Sequence, residues 1–526
     1  MASQFHLADL FEGVAAAVPD RFAVITDSRS LTYAELNDRA DRVASALAAH
    51  GVVRGDTVGL YMTNRVEHLE AFIAVVKLGA VPFNVNYRYR ADELRYLFTN
   101  AQAAAVIHDV AFSAIISDMR HDLPSLKVAV AVDDGSGAPS LGSVPYDELL
   151  KAEKTGPWPH HEDDIILTYT GGTTGFPKGV LWPHKSFVFA CAGGGGYFNP
   201  KGVLVEPGDI FDRAANGYPL RIFPVAPLMH GAAFWAVWSA MLNGLAIVLD
   251  DSGSFQPETV WDKVERHRAN IVQVVGDAMA IPLRDALQQH PGRWNLDHVV
   301  NFGSGGAVFS RHVQDELRKH LPASATISDG MGSSETGVSG QAAASADGLM
   351  RLSSGTAQQV VVDDRIAQPG ETGFVARSGY TPVGYFGDPE RTAEVFRVID
   401  GKLWAISGDA GRLDADGMIT LFGRGSTCIN SGGEKVFPEE VEEALRSHAA
   451  IRDAVVVGRP DPRWGECVVG VVSFRGEGEK PSLDDMRAFL ADRLAGYKIP
   501  KVLLWVDEVR RSPAGKQDYR WAKSLL

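Results

Sequence analysis

The chain has 526 residues, 45% hydrophobic and 22% charged, which is ordinary for a globular protein and too long for a single core, so two or more domains are expected. The formal net charge of −14 argues against nonspecific binding to nucleic acid or anionic lipid, and a nucleotide site would have to be made positive locally. Cys191, Cys428 and Cys467 are too scattered for a disulfide framework or a Cys-x-x-Cys metal site, and the opening MASQFHLADLFEG carries acids and no long apolar core, so a reducing cytoplasmic setting is expected and a signal peptide is not.

From Ser30 to Ile107 helix and strand patterns alternate. Thr32 followed by Glu35 is the pattern of a capping box, and Leu36, Ala40, Val43 and Leu47 recur at helical spacing. Val58–Tyr61 reads as a strand, Glu67–Leu78 as a helix and Ala80–Phe83 as a strand. A helix capped by Asp92 and running through Phe98, then a strand at Ala103–Ile107, complete the unit. This βαβα order predicts a parallel sheet flanked by helices. Asp133–Gly142 is a turn-rich connection, and the sequence shows no internal repeat and no low-complexity tail.

Ile165–Leu167 reads as a short strand leading into Thr170-Gly171-Gly172-Thr173-Thr174-Gly175, with Lys178 close behind. Glycines let backbone N–H groups approach an anion, hydroxyls donate to it and the lysine adds a positive charge, so the loop suits a polyphosphate. It is not a Walker A loop, which ends in Gly-Lys-Ser/Thr where this one has Pro177-Lys178-Gly179. Ser186–Tyr218, with Gly193–Gly196 beside Tyr197-Phe198, reads either as a flap near a ligand or as a surface insertion. Ile222–Leu249 contains no Asp, Glu, Lys or Arg. Pro224, Pro227 and Asn243-Gly244 divide it into a loop, a buried helix Gly231–Leu242, a turn and a buried strand Leu245–Leu249, so no transmembrane segment is expected. His230 precedes that helix, and Phe234, Trp235 and Trp238 follow as an aromatic stripe that is core with one edge on an apolar pocket.

Val299–Ser310 is a strand followed by a turn of small residues, Ser304-Gly305-Gly306-Ala307, which would let a flat ring lie against the backbone. Further on come Asp329-Gly330-Met331-Gly332-Ser333-Ser334-Glu335-Thr336, then Ser407-Gly408-Asp409, then Gly423-Arg424. Asn430-Ser431-Gly432-Gly433-Glu434 precedes a helix rich in early glutamates, which complement its dipole. Strands at Ala454–Val457, Val468–Phe474 and Val502–Val506 and a helix at Leu483–Leu494 make a small α+β unit, and Ser512-Pro513-Ala514-Gly515-Lys516 follows it.

These motifs, in this order from about Ser30 to the C-terminus, resemble the adenylate-forming superfamily of acyl-CoA synthetases, luciferases and peptide-synthetase adenylation domains, and most closely its actinobacterial ligases for fatty acids and steroid side chains. The resemblance implies an α/β fold with a large N-terminal domain of βα-type sheets, residues 1–424, and a small mobile α+β C-terminal domain, residues 425–526, with the pivot at Gly425–Thr427. It implies that Thr170–Gly175 and Lys178 bind ATP phosphates, that Ser304–Ala307, Asp329–Gly332 and Ser334 surround the nucleotide, and that Asp409 and Arg424 meet the ribose or phosphate. Glu335 would hold Mg²⁺, and Lys516, with Glu335, Thr170 and His230, would be catalytic. His230, Phe234, Trp235, Gly276, Gly303 and Met331 would line the acyl pocket, and His230 with Ser431, Gly432 and Gly433 the CoA tunnel. Gly171 stands where the family pattern has Ser, Met331 where it has an aromatic ring and Ser407 where it has Thr.

The implied reaction is ATP-dependent adenylation of a hydrophobic carboxylic acid, then thioester formation with CoA, releasing AMP and pyrophosphate. An aryl-CoA ligase, or an adenylating enzyme that loads a separate acyl carrier protein, is the alternative. A hydrolase is disfavoured because no Gly-x-Ser-x-Gly elbow occurs. The expected partners are the acid, ATP and CoA, with no nucleic acid, and a homodimer is left open.

Overall fold

Thr57–Tyr61, Val81–Asn84 and Ala105–Asp109 run parallel, Val58 opposite both Pro82 and Ala105. Thr57–Tyr61 and Ala105–Asp109 are buried along their whole length, as parallel strands covered on both faces must be. The computed structural model in which they lie describes residues 4–89, 91–170, 177–196, 202–307, 309–341, 343–344, 350–355, 357–424, 427–431, 434–461, 465–476, 479–491, 493–494, 496–511 and 516–526. These fall into two compact units. The first comprises Met1–Gln273, Trp294–Asn301 and Tyr380–Phe396, and the second Val274–Arg293, Phe302–Gly379 and Arg397–Leu526.

In the first unit the three parallel strands belong to an eight-stranded sheet, ordered Gly384–Tyr385, Lys178–Pro183, Ile165–Thr170, Val81–Asn84, Thr57–Tyr61, Ala105–Asp109, Val128–Val132 and Val144–Pro145. The Ile165–Thr170/Lys178–Pro183 pair is antiparallel, and Thr170 faces Lys178 at its open end. The capping box is formed: Thr32 N–H donates to Glu35 Oε2 at 2.8 Å, and Glu35 N–H to Thr32 Oγ1 at 3.2 Å. Asp92 is not an N-cap, because the helix starts at Ala91 and Asp92 lies inside its first turn. The apolar stretch folds as read, with helix Gly231–Leu242 and strand Ala246–Val248, and among the described residues no helix is long and apolar enough to cross a membrane. Cys191 and Cys467 are buried.

The second unit holds an antiparallel sheet built on Thr372–Ser378, Lys402–Leu413 and Met418–Arg424. It also holds the paired strands Asn301–Gly305, Thr326–Ser333 and Gly337–Gln341. A five-stranded sheet carries the last hundred or so residues, with Ile451–Asp461 antiparallel to Gly465–Phe474 and Val502–Val506 parallel to the latter. Its core joins Val441 and Leu445 of helix Pro438–Arg446 to Val456, Val468, Met486 and Leu490.

A histidine stack anchors the N-terminal helix Leu7–Ala17 to the base of the Ile165–Pro183 hairpin. The His6 ring lies between those of His160 and His184, at 4.3 and 4.1 Å. His6 Nδ1 accepts from Ala8 N–H at 3.2 Å, and His184 Nδ1 from Leu7 N–H at 3.3 Å, so each ring needs a bare nitrogen. His160 is the reverse, with Asp9 Oδ1 at 2.5 Å from Nδ1 and the Lys77 carbonyl at 2.7 Å from Nε2, two acceptors that ask for a doubly protonated ring. Although His6, Asp9 and His160 come close enough to suggest a metal cluster, parallel rings cannot aim both lone pairs at one ion, and both His160 nitrogens are engaged. Burial, then the neighbouring His160, lowers the pKa of His6, while burial, then His6 and His160, puts His184 far below the usual imidazole value. Burial opposes the charge on His160 as well, yet Asp9 and the Lys77 carbonyl hold its pKa above the usual value.

The sign follows. The two depressed groups contribute stability that is full above about pH 6.5 and lost as pH falls; His160 contributes stability below that value and loses it as pH rises. The melting temperature is therefore expected to drop from about pH 7 to pH 5, with His184→Gln flattening the drop. Thermal unfolding across that range checks it, and an equally steep drop in the variant would contradict the assignment.

Candidate active site

In the first unit the glycine–threonine loop begins where the hairpin opens. Thr170 and Lys178 are its described ends, and Gly171, Gly172, Thr173, Thr174 and Gly175 lie outside the described residues. Lys178 Nζ stands 5.9 Å from the centroid of the Tyr385 ring. The adjacent strand is fixed by Asn84, at the C-terminal end of Val81–Asn84. Its Oδ1 accepts from Tyr169 N–H at 2.8 Å, and its Nδ2 donates to the Tyr169 carbonyl at 3.1 Å and the Met229 carbonyl at 2.7 Å. Asn64 acts similarly, accepting from Leu228 N–H at 2.7 Å and donating to the Ala226 carbonyl at 3.2 Å. Together the two amides hold the segment that ends in His230 at the C-terminal edge of a parallel sheet, the edge at which α/β proteins bind ligands.

His230 is the N-cap residue of helix Gly231–Leu242 and makes no side-chain cap. Phe234 joins an aromatic core, 4.8 Å from Phe72 and 5.7 Å from Phe187. Trp235 leans over Gly231, where a Cβ would come within 3.3 Å of its ring. The Trp235 indole nitrogen is buried and has no hydrogen-bond partner among the described residues. The aromatic stripe thus divides: Phe234 and Trp238 pack on Phe72, and Trp235 lies over the start of the helix.

In the second unit strand Asn301–Gly305, which includes Gly303, ends in the small-residue turn, where Gly306 takes φ +85 and is followed by Ala307. Ser304 Oγ accepts from Gly276 N–H at 2.9 Å, so Gly276 and the turn are tied together. Next to Gly276, Asp277 is fully buried and accepts from Ser310 N–H at 2.9 Å, which closes the far side of the turn. Asp277 Oδ2 lies 3.9 Å from Nε of Arg446, a buried cation on helix Pro438–Arg446.

Asp329, Gly330, Met331 and Gly332 lie on strand Thr326–Ser333. Asp329 Oδ1 is buried and accepts no hydrogen bond among the described residues. Burial, then the nearby acids Asp277 and Glu443, pushes its carboxyl well above the usual range. A desolvated oxygen of this kind favours a donor such as an exocyclic amine. Met331 packs against the cluster of Leu352, Val360 and Val375.

Ser334 and Glu335 sit in a turn closed by Ser333 and Thr336, whose side-chain oxygens are 3.0 Å apart, and Arg377 donates to the carbonyls of Thr336 and Val338. Glu335 is a half-buried carboxylate, a hard oxygen donor of the kind Mg²⁺ takes together with phosphate oxygens. Asp409 pairs with Arg424 across adjacent strands, and its N–H donates to Ser407 Oγ at 3.2 Å; the Arg424 side chain is outside the description. Gly423 has φ +98, and a Cβ there would sit 2.1 Å from the Glu439 carboxyl carbon. Ser431 is buried at the end of strand Ile429–Ser431, Gly432 and Gly433 lie outside the described residues, and Lys516 is exposed.

The structure thus joins Asn84, Tyr169 and Met229 in one unit, and Gly276, Asp277, Ser304 and Ser310 in the other. Asn64, Asn84, Asp277, Arg377 and Arg446 are contributors that carried no sequence signal, since each acts through partners distant in the chain.

Comparison with known proteins adds independent support. The AMP-binding enzyme family matches residues 11–381, and the AMP-binding enzyme C-terminal domain matches residues 440–516. The chain is 42% identical, over 99% of its own length and 96% of the relative's, to a medium/long-chain-fatty-acid–CoA/3-oxocholest-4-en-26-oate–CoA ligase of Mycobacterium tuberculosis (strain CDC 1551 / Oshkosh). It is 39% identical, over 98% of its length and 95% of the relative's, to a 3-oxocholest-4-en-26-oate–CoA ligase of Rhodococcus rhodochrous. Its fold is that of the anthranilate CoA ligase AuaEII, solved with anthranoyl-AMP, with a TM-score of 0.83 at 23% identity over 100% of this chain and 98% of that one. Motif order, fold and full-length identity agree: the chain belongs to the AMP-binding enzyme family.

Proposed function

We infer that the protein is an AMP-forming acyl-CoA ligase that activates a hydrophobic carboxylic acid and transfers it to CoA. The observation that carries this reading is full-length identity of 42% to a fatty-acid and steroid-acid CoA ligase. In the same chain Thr170, Lys178, Glu335, Asp409 and Lys516 all stand in motif order. Medium- to long-chain fatty acids and steroid side-chain acids are the proposed substrates. The stretch Ile222–Leu249 offers no acid to hold a substrate amine, which speaks against an amino acid.

A carboxylate is a poor acyl donor because its leaving group would be oxide. Its oxygen attacks the α-phosphorus of ATP, the bond to pyrophosphate breaks, and the acyl-adenylate forms. Charge grows on the phosphoryl oxygens, so catalysis rests on positioning and on donors aimed at that charge. Thr170, Thr173 and Thr174 with the glycines of their loop, Lys178, Ser334 and Lys516 supply those donors. Glu335 holds Mg²⁺, which when bound neutralises phosphate charge. The turn Ser304–Ala307 and Asp329 receive the adenine, with Asp329 accepting from its amino group, and Asp409 accepts from the ribose hydroxyls.

In the second half-reaction the CoA thiol attacks the acyl carbonyl and AMP leaves, with His230, Ser431, Gly432 and Gly433 along the thiol's path. We assign residues 1–424 to the nucleotide- and acyl-binding domain and 425–526 to a mobile C-terminal domain. A separate C-terminal match that begins at residue 440 supports that division. A cytoplasmic setting is part of the proposal, and light scattering tests for a homodimer.

Pyrophosphate release with ATP, Mg²⁺ and fatty, steroid side-chain or benzoic acids, each with and without CoA, tests the reaction. Turnover is expected with one hydrophobic class and to require CoA, and Lys516→Ala is expected to cost roughly 10²–10³ in adenylation rate. Release indifferent to CoA would replace the reading with a carrier-loading enzyme. Separately, Asp329→Ala is expected to raise the KM for ATP roughly tenfold or more while leaving the KM for CoA in place, as initial rates would measure. Equal effects on both would remove Asp329 from the adenine contact.

A further inference from the structure

Outside the residues given any role above, the second unit contains a polar cavity of about 440 Å³, lined by the end of helix Gly276–Gln289, by helix Arg311–Arg318 and by Arg452 and Arg475 at strand ends. We propose that this cavity binds a phosphate-bearing anion.

The charges are arranged as an anion would need them. Arg284, Arg452 and Arg475 all face the cavity, together with His312. The two acids of the lining are already engaged. Asp285 pairs with Arg284 and lies 3.6 Å from Arg452. Glu316 pairs with Lys319 at 2.6 Å and accepts from Gln288 at 3.2 Å. Arg475 is left over: among the described residues no carboxylate stands within ion-pair distance of it, and its Nε is buried without a partner. Among the described residues its side chain donates to His312 Nε2, which uses that nitrogen as an acceptor and puts the neutral ring's proton on Nδ1.

The Arg475 guanidinium is held against an imidazole, with Arg284 and Arg452 opposing its charge and Glu316 and Asp285 favouring it. Burial, then Arg284, lowers the pKa of Arg475, and burial, then Arg475, lowers that of His312. An anion would relieve both. Arginine's planar fork favours phosphate, which takes two parallel donors. At about 440 Å³ the cavity exceeds a lone phosphate and suits one carried on a larger polar group. Two sources share this chemistry: free phosphate or the pyrophosphate released in the proposed reaction, and CoA, which bears a 3′-phosphate.

The test is NMR of the full-length protein with carbon-labelled histidine, the His312 signal being assigned by its loss in His312→Gln. Inorganic phosphate, pyrophosphate, CoA and dephospho-CoA are titrated in turn. At least one is expected to shift the His312 signal saturably, and Arg475→Gln to weaken that binding roughly tenfold or more. A shift with phosphate or pyrophosphate identifies free phosphate as the ligand. A shift with CoA but not dephospho-CoA identifies the 3′-phosphate, and a shift with both identifies the diphosphate arm. No shift with any of the four, or a shift that survives Arg475→Gln undiminished, overturns the proposal. Arg452→Gln is the second variant should Arg475→Gln fail to fold. Pyrophosphate release from the same preparations separates this result from the ligase reading: its absence in the wild type would sink the ligase, while a His312 shift lost with Arg475 would still establish the cavity.

Discussion

A parallel sheet ends in a row of backbone groups with no neighbour to continue the ladder, and those groups have to be satisfied by something else. Here the side chain of Asn84 does much of that work. One amide closes both the N–H and the carbonyl of Tyr169 and reaches the carbonyl of Met229. The strand leading to the glycine–threonine loop and the segment leading to His230 are therefore positioned by the same residue. Had Asn84 been apolar, three buried backbone groups would have lost partners, at roughly 1–3 kcal/mol each. The fold spends a polar residue at the sheet edge where the chemistry is proposed.

The second unit solves a different problem, that of carboxylates kept out of water. Asp277, Glu442 and Glu443 are all raised by burial, and the Arg446 guanidinium opposes that rise at each of them, joined by Arg511 at Asp277 and Glu442. Burial works against the charge on Arg446, but Glu442, Glu443, Asp277 and Asp453 keep it protonated. Removing one member of such a network leaves an uncompensated buried charge, typically at several kcal/mol. Asp277 also holds the turn after Ser304, so the cluster couples helix Pro438–Arg446 to the backbone proposed to receive the adenine.

Local signals were read well from the sequence. The capping box at Thr32, the helix Gly231–Leu242 and the strand Val502–Val506 needed only spacing and composition, because each is dictated by neighbours a few residues away. Boundaries drifted where the code is weaker, as at the helix of Asp92. What escaped was the set of long-range amide and charge contacts, since a lone Asn84, Asp277 or Arg446 looks like any polar residue until its partners arrive. The aromatic stripe after His230 was legible as apolar; its division between Phe234 in the core and Trp235 over Gly231 depended on which neighbours packed where. The motif series itself remains a property of sequence order, and residues 171–176, 432–433 and 512–515 of it lie outside the described structure.

The antiparallel pairing that sets Thr170 opposite Lys178 also governs which lengths of chain this region can accept. Side chains along a strand alternate between faces, so deleting one residue from either arm would exchange its two faces over the rest of that arm, and neither face is exposed. Buried Ile166, Trp182 and Val180 leave no room for the exchange. Insertions and deletions are thus barred from the arms. A change between the arms, such as Gly171 in place of a serine, alters chemistry without touching the frame that carries it.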